Sequence, residues 1–342
     1  MKFFSKTFIF FLILASSLLL PASIPAHAQL NVGLSPADIS TDVEPTNPGP
    51  FQQISVTIDS YATDLNGVSI SWVVNGKKVV SGIGKKGISL TTGAIGKQTS
   101  INITIDSITG TITKNITIIP ATVDMIWEAN TYTPPFFKGK AIFSPESVVT
   151  FVAIPHLIRN GVEVSPKNLI YTWSNNGTVL GSQSGYGKST LSIAGSIIPR
   201  PFDITVEASD PNTGSVADGE TVLASQTPFV LFYKNDPLYG VQYEHALTGV
   251  IPLTTQEMEI TAVPYYFSAR SMFDNLLSYN WEINGTPIGD GINSPDKVFR
   301  RTGTAVGQSN VSVSTTQSAT MFQTANQAVT IDFQNSSTQV GL

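Results

Sequence analysis

Apolar and polar residues alternate with a period of two along most of the chain that follows the N-terminal segment. Residues 100–106, 111–118 and 202–208 are clear cases, because nearly every second position is apolar. Such alternation is typical of a β-strand with one buried face. No segment keeps the 3.6-residue period of an amphipathic helix, although residues 226–239 and 268–277 would each accommodate a short helical turn. The pattern therefore predicts an all-β fold.

The stretch Trp-x-x-Asn-Gly occurs three times and divides the chain into repeats. It begins at Trp72, Trp173 and Trp281, so the spacings are 101 and 108 residues. Asn-Gly directly after a strand favours a type I′ hairpin turn, in which both central residues have positive φ. A large aromatic residue in mid-strand before a hairpin suits a β-sandwich core, so we predict that these three Trp residues are buried. The predicted turn residues are Asn75, Gly76, Asn176, Gly177, Asn284 and Gly285.

The repeats also place the domain boundaries. We predict a signal peptide at residues 1–28, followed by three immunoglobulin-like β-sandwich domains in tandem at residues 29–120, 121–226 and 227–342. Each domain then has about 100 residues, which is a common domain size. Almost no linker separates the predicted domains, so we expect a semi-rigid row rather than a flexible string.

These motifs resemble those of bacterial Ig-like and PKD-like modules, which are β-sandwiches found in tandem on surface and secreted proteins. The resemblance covers essentially the whole chain after the signal, but its motifs belong to a core and a turn, which specify fold better than function. Residues 126–140 resemble a segment of uncharacterised exported Ig-like proteins from small-genome bacteria. That second resemblance implies no activity.

The N-terminus has the features of a secretion signal. Lys2 and Lys6 precede an apolar run at residues 8–20, and Ala26-His-Ala28 fits a cleavage site. The apolar run is shorter than the roughly 20 residues that span a bilayer, so we predict cleavage and a mature start at Gln29. An uncleaved signal that anchors the protein in a membrane is the alternative.

Composition limits the compartment and the partners. The chain has no cysteine, so an exported fold must be held by its cores alone and no lipid can be attached to a cysteine at the processed N-terminus. Without the two lysines of the signal, 17 basic residues face 24 acidic ones, a net charge of −7. This charge does not favour nucleic acid or an anionic membrane as a partner.

Catalytic patterns are missing from the sequence. After the signal there are only two histidines, His156 and His245, and no His-Glu-x-x-His, Gly-x-Ser-x-Gly or cysteine nucleophile. Residues 185–190 resemble the end of a phosphate-binding loop, but position 182 is Ser instead of Gly, and a turn between strands explains them better. We predict that the protein is not an enzyme and has no cofactor. A hydrolase remains as an alternative that would require clustered carboxylates in a deep pocket.

One group of oxygen-bearing side chains raises the question of calcium. Hard oxygen ligands suit Ca²⁺, but the spacing is not that of an EF-hand, and Asp-Pro-Asn-Thr-Gly is ordinary turn chemistry. We therefore favour a turn over a metal site. The calcium candidates are Asp210, Asn212, Asp218 and Glu220.

Two loops rich in aromatic residues and proline are the best candidates for contact with a partner. Such loops stack on sugars or anchor interfaces, and they equally pack against a neighbouring domain, which is the interpretation we favour. The candidate binding residues are Tyr132, Phe136, Phe137, Tyr239 and Tyr243.

These observations lead to three hypotheses of function. The first is a non-catalytic exported structural or adhesive protein of the bacterial cell surface or envelope. Such a protein could belong to a pilus-associated assembly. The second is a carbohydrate- or protein-binding accessory module of an extracellular system, and the third is the hydrolase. The expected partner is a protein or surface glycan, with membrane contact only through an uncleaved signal. Exposure of Tyr132, Phe136 and Phe137 would support the second hypothesis, and burial of these rings against the third domain would argue against it.

Overall fold

The computed structural model describes a chain built of β-strands. Among the residues that the structure describes, the only helices are two single 3-10 turns, Pro36–Asp38 and Pro166–Asn168. The predicted signal peptide lies outside these residues. The structure describes residues 35–108, 110–288, 293–303 and 306–333.

The first group of strands forms two antiparallel sheets that face each other. The strands are β1 (Ser40–Glu44), β2 (Gln53–Asp59), β3 (Ser69–Val74), β4 (Lys77–Ile83), β5 (Gly87–Thr91), β6 (Thr99–Ser107) and β7 (Gly110–Ile118). The sheet orders are β1-β2-β5 and β4-β3-β6-β7. Strict alternation of buried and exposed residues in β2 places every second side chain in the first core, a cluster of buried residues between positions 39 and 118.

The second group repeats this arrangement around the second core, which spans residues 121–223. Its main strands are β8 (Thr122–Ala129), β9 (Val148–His156), β12 (Ile170–Asn175), β13 (Thr178–Val179), β15 (Thr190–Ala194), β16 (Phe202–Ser209) and β17 (Val216–Leu223). The sheet orders are β15-β9-β8 and β13-β12-β16-β17. Three short strands are added: β10 (Ile158–Arg159) pairs with β11 (Val162–Glu163), and β14 (Gly185–Tyr186) pairs with β12.

The third group encloses the third core, which spans residues 230–331. Its strands are β18 (Phe229–Asp236), β19 (Gly240–Leu247), β20 (Val250–Pro252), β21 (Glu257–Tyr265), β22 (Leu277–Ile283), β23 (Thr286–Pro287), β24 (Asp296–Arg300), β25 (Gly307–Gln317) and β26 (Thr324–Phe333). The sheet orders are β19-β18-β21-β24 and β20-β26-β25-β22-β23, and β20 runs parallel to β26. Residues 229–236, where the sequence would also accommodate a helical turn, form a strand because β21 pairs with them along their length.

The same Greek-key order runs through the three groups once the added strands are set aside, which are β10, β11 and β14 in the second group and β19 and β20 in the third. The first, second and fifth strands form one sheet, and the third, fourth, sixth and seventh form the other. This is the order of an immunoglobulin-like sandwich, so the predicted all-β fold of tandem Ig-like β-sandwiches is confirmed. The boundaries at 120/121 and 226/227 fall between the clusters of buried residues and stay a prediction.

The three Trp residues occupy the same place in their sandwiches, on the strand of the larger sheet that leads into the Asn-Gly turn. Trp72 lies on β3, Trp173 on β12 and Trp281 on β22. Trp72 and Trp173 are fully buried, and Trp281 is 4% exposed. The indole N–H of each donates a hydrogen bond to a backbone carbonyl 13 to 15 residues further along, which satisfies the polar atom of a buried ring. The acceptors are the carbonyls of Lys85 (2.7 Å), Lys188 (2.8 Å) and Ser294 (3.1 Å).

A repeated Gly-x-Gly-Lys segment supplies two of these carbonyls, at residues 82–85 and 185–188. Gly84 and Gly187 have φ of +68° and +69°, and a Cβ at either would lie 3.1 or 3.3 Å from a backbone oxygen. Glycine is therefore required here, because it alone adopts positive φ without strain. The segment that resembles a phosphate-binding loop thus holds the acceptor for a core Trp.

The three hairpin turns have the geometry expected of Asn-Gly. Both central residues have positive φ in each turn, as a type I′ turn requires. The φ angles are +49° and +80° for Asn75 and Gly76, +49° and +73° for Asn176 and Gly177, and +47° and +76° for Asn284 and Gly285.

Candidate interface between the second and third cores

The loop from residue 130 to residue 147 joins β8 to β9 and lies against the third group of strands. The N–H of Tyr132 donates to the carbonyl of Phe267 over 2.8 Å, and the N–H of Tyr266 donates to the carbonyl of Tyr132 over 2.8 Å. Two hydrogen bonds through one residue fix both the position and the direction of the loop, because backbone groups have no freedom to re-aim.

Aromatic rings from both sides fill this contact. Phe137 meets Tyr265 edge-on at 5.6 Å between ring centroids, and Phe229 stacks on the same tyrosine at 4.7 Å. The hydroxyls of Tyr233 and Tyr265 share a hydrogen bond of 2.7 Å inside the cluster. Such pairs contribute about 0.5–1.5 kcal/mol each beyond the burial of their area. The cluster therefore acts as a small additional core that belongs to neither sandwich alone.

Burial changes the acidity of the tyrosines in this contact. It raises the pKa of Tyr132 to about 12, with a smaller contribution from the charge of nearby Tyr243. Burial also raises the pKa of Tyr265, and its hydrogen bond with Tyr233 adds to the effect. These hydroxyls stay protonated at neutral pH, so they serve as neutral hydrogen-bonding groups.

The structure separates the five aromatic residues that the sequence singled out. Tyr132, Phe137 and Tyr243 are half-buried in or beside the aromatic cluster. Phe136 is 90% exposed and Tyr239 is 81% exposed, each at the tip of its loop. Packing between neighbouring sandwiches thus accounts for Tyr132 and Phe137. Tyr243 packs on Tyr233 of its own sandwich, and the other two rings are open to solvent.

A carboxylate forms a second link across the same contact. Glu146, in the loop before β9, accepts hydrogen bonds from the N–H groups of Met321 (2.9 and 3.1 Å) and Phe322 (2.9 Å). Its own backbone has a φ of +64°, a conformation that costs a non-glycine residue about 1 kcal/mol or more. The strain is offset because charge-assisted hydrogen bonds are stronger than neutral ones.

A buried glutamine completes the contact. Gln323 is 1% exposed, and its side-chain Nε2 donates to the carbonyl of Pro145 over 2.7 Å and lies 3.1 Å from Oγ of Ser144. Its Oε1 accepts from the N–H of Ser268 over 2.6 Å. A buried amide with its groups satisfied specifies one arrangement, because any slip leaves polar atoms without partners. Sequence reasoning missed Gln323 and Glu146, since their partners in the other sandwich lie more than 170 residues away.

The first and second groups of strands also contact each other. Asn47 donates from Nδ2 to Asp218 over 2.9 Å. The N–H of Gly96 donates over 2.9 Å to the carbonyl of Pro120, the last residue before the predicted boundary. A Cβ on Gly96, whose φ is +71°, would lie 2.4 Å from Cβ of Ile158. The first sandwich therefore fits against the second only with glycine at this position.

The calcium candidates do not converge. Asp210 is buried, and its carboxylate is bound by Nη1 of Arg159 (3.1 Å), the N–H of Asn212 (3.0 Å) and Oγ1 of Thr213 (2.9 Å). Burial alone would raise the pKa of Asp210, but the hydrogen bonds and the arginine together hold it below its usual value. Among the described residues, no group of three or more His, Cys, Asp and Glu is placed to hold a metal ion.

The other two calcium candidates lie on an open sheet face. Asp218 and Glu220 are exposed on β17, and Asp218 pairs in register with Glu207. Together they line a shallow groove of about 620 Å³. These carboxylates are open to solvent, so the groove lacks the deep acidic pocket that the hydrolase hypothesis requires.

One histidine is held between two carboxylates in the second sandwich. His156 lies 2.9 Å from Glu163 through Nδ1 and 3.2 Å from Asp124 through Nε2. The hydrogen bond with Glu163 raises the pKa of His156, and Asp124 adds to the effect against some desolvation.

No protein-family model and no curated protein matches the sequence. Several solved structures of tandem sandwiches are similar to it at low identity. The three N-terminal domains of the bacteriophage RB49 Highly Immunogenic Outer Capsid protein show 11% identity and a TM-score of 0.27, covering 87% of this chain and 99% of theirs. The central fibronectin-III array of RIM-binding protein shows 14% identity and a TM-score of 0.28, covering 89% and 99%. The fibronectin(III)-like modules of Clostridium thermocellum CbhA show 13% and 0.23, covering 64% and 98%.

TM-scores this low carry no argument about function, so the class of the protein rests on its own strand order. That order makes the chain a tandem array of Ig-like β-sandwiches. Among the residues the structure describes, no helix is long and apolar enough to cross a membrane.

Proposed function

We propose that this chain is a non-catalytic exported structural or adhesive protein of the bacterial cell surface or envelope. In this proposal three Ig-like domains, bounded at residues 120/121 and 226/227, form a semi-rigid spacer. The signal peptide at residues 1–28 directs export, and a protein or surface glycan is the partner. Membership of a pilus-associated assembly is one form that this function would take.

The buried junction around Gln323 is the observation that carries the proposal. A flexible string of binding modules needs no buried polar contacts between neighbours, because domains in one chain move relative to each other unless their interface holds them. Here an amide that is 1% exposed, a strained glutamate and an aromatic cluster lie between two sandwiches. Ordering these groups costs conformational entropy. In this proposal the buried contacts offset that cost and hold the two sandwiches at a fixed angle.

The exposed rings supply the adhesive part of the proposal. Phe136 and Tyr239 have at least four-fifths of their surface in water, and Leu238 beside Tyr239 is 86% exposed. Large apolar side chains at loop tips are suited to contact with a partner. Tyr132 and Phe137 are occupied by packing, which argues against an accessory module that binds through the whole aromatic loop.

Small-angle X-ray scattering on residues 29–342 tests the fixed geometry. The proposal expects one conformation to fit the profile, with no gain from an ensemble in which the sandwiches move independently. A profile that only such an ensemble fits would contradict the semi-rigid spacer.

A further inference from the structure

The three Asn-Gly turns share one backbone geometry but differ in how the asparagine side chain is held. Their φ angles are nearly the same, and the asparagine and glycine of each turn are exposed to solvent. A Cβ on any of the three glycines would meet no atom within 4 Å, so the turns are equally open. A difference in reactivity between the turns must therefore come from the asparagine side chains.

Two of these side chains are tied to the neighbouring strand. Oδ1 of Asn75 accepts from the backbone N–H of Ser100 on β6 over 2.9 Å, and Oδ1 of Asn284 accepts from the backbone N–H of Asn310 on β25 over 2.8 Å. Each donor belongs to the backbone of a paired strand, which has no freedom to turn away. These two amides are therefore held in one orientation.

Asn176 lacks this tie. Asp203 on β16 takes the place of Ser100 and Asn310, since its carbonyl accepts from the N–H of Asn176 over 2.8 Å, as theirs do from the N–H groups of the other two asparagines. In the part of the chain that the structure describes, no hydrogen bond joins Asp203 to the side chain of Asn176. Nδ2 of Asn176 donates instead to Oδ1 of Asn175 over 3.1 Å. That bond joins two side chains that both rotate, so it does not fix the amide of Asn176 to the sheet.

The freedom of this side chain matters because asparagine followed by glycine can lose its amide spontaneously. The glycine nitrogen gives its proton to a base in solution and attacks Cγ of the asparagine. A bond between this nitrogen and Cγ closes a succinimide ring, the bond between Cγ and Nδ2 breaks, and the amide nitrogen leaves as ammonia. Water then opens the ring to aspartate or isoaspartate. Glycine favours the reaction because it has no side chain to crowd its nitrogen.

The attack depends on the orientation of the asparagine side chain. The two reacting atoms have to approach to about 3–3.5 Å with their orbitals aligned. The amides of Asn75 and Asn284 must first break their hydrogen bonds to the neighbouring strand, whereas the amide of Asn176 rotates without that cost.

We propose that Asn176 is a site of spontaneous deamidation in the folded protein and that Asn75 and Asn284 are protected by their hydrogen bonds. Conversion adds one negative charge to the turn between β12 and β13, and isoaspartate lengthens the backbone of that turn by one carbon atom. The inference does not depend on the proposed function, since it follows from the three turns alone.

Peptide mapping by mass spectrometry follows the three turns in one sample of residues 29–342, kept folded in mildly alkaline buffer. Asn75 and Asn284 are matched controls within the same molecule. We expect Asn176 to convert about fivefold faster than either, because a hydrogen bond contributes about 1 kcal/mol, which corresponds to about fivefold in rate. In a second sample, unfolded in guanidinium chloride at the same pH, we expect the three turns to convert at similar rates, because glycine follows each asparagine.

Three results would overturn the proposal: equal conversion of the three turns in the folded sample, no conversion of Asn176 there, or the same preference for Asn176 in the unfolded sample. The last result would assign the preference to local sequence and not to the hydrogen bonds of the folded turns. Circular dichroism at the end of the incubation checks that the first sample is still folded.

Discussion

Replacement of Gln323 by alanine is expected to loosen the junction between the second and third cores. The amide joins the carbonyl of Pro145, the hydroxyls of Ser144 and Ser268, and the N–H of Ser268 in a site that is almost closed to water. Alanine provides none of these bonds. The carbonyl and the N–H then stay buried without partners, unless the sandwiches move apart and admit water.

The magnitude follows from the groups that lose a partner. A buried polar group without a hydrogen bond costs about 1–3 kcal/mol, and the hydroxyls can turn to other acceptors. Two backbone groups lose their partner, the carbonyl of Pro145 and the N–H of Ser268. Taking the lower limit for each, we expect the free energy of unfolding of the third sandwich to fall by about 2 kcal/mol. For a domain of about 100 residues this lowers the melting temperature by about 10 °C.

Differential scanning calorimetry and X-ray scattering measure the two consequences. We expect a lower transition for the third sandwich and a profile that needs more than one conformation. Gln308→Ala is the matched control, because Gln308 lies exposed on β25. If Gln323→Ala melts and scatters like the parent, the reasoning about the buried amide is refuted.

Three further changes test other parts of the structure. Trp173→Phe leaves the carbonyl of Lys188 without its indole donor and is expected to lower the free energy of unfolding by about 2 kcal/mol in urea titrations. Gly96→Ala is expected to speed proteolysis between the first and second sandwiches, because its Cβ would collide with Ile158. Gly161→Ala is the control: it is also at positive φ but in open space, so it costs only about 1 kcal/mol of local strain and is expected to leave the proteolysis rate unchanged. Because folding raises the pKa of His156, its stabilising effect is complete below about pH 6.5 and is lost as pH rises through the folded pKa, which thermal melts across pH measure.

Each of these predictions has an outcome that contradicts it. Equal urea midpoints for Trp173→Phe and the parent would show that the indole hydrogen bond is unimportant. Equal cleavage of the two glycine variants would remove the steric argument at Gly96. A His156→Gln variant with the same pH dependence as the parent would show that another group titrates.

Local patterns in the sequence were enough to predict the sandwich. Alternating residues define the strands, and the Trp and Asn-Gly positions define the third strand and its turn, because these features depend on neighbours in the chain. The Gly-x-Gly-Lys repeat was visible at residues 82–85 and 185–188, yet its role requires the position of Trp173 relative to the carbonyl of Lys188. A comparison of the repeats after each Trp would have found that signal.

The junction could not be read in the same way. Gln323 has no unusual neighbours in the sequence, and its partner Pro145 is 178 residues away. The aromatic loop was recognised by composition alone. Whether Phe137 faces water or Tyr265 depends on how two sandwiches meet, which no local pattern encodes.

Fractionation of the cells that make this protein, with mass spectrometry of its N-terminus in each fraction, tests the central proposal most directly. The account predicts a mature chain that starts at Gln29, found in the medium or in a surface wash. A chain that keeps Met1 and is found in the cytosol would contradict it. A chain that keeps Met1 but is confined to membranes would correct the predicted cleavage and make this a membrane-anchored spacer.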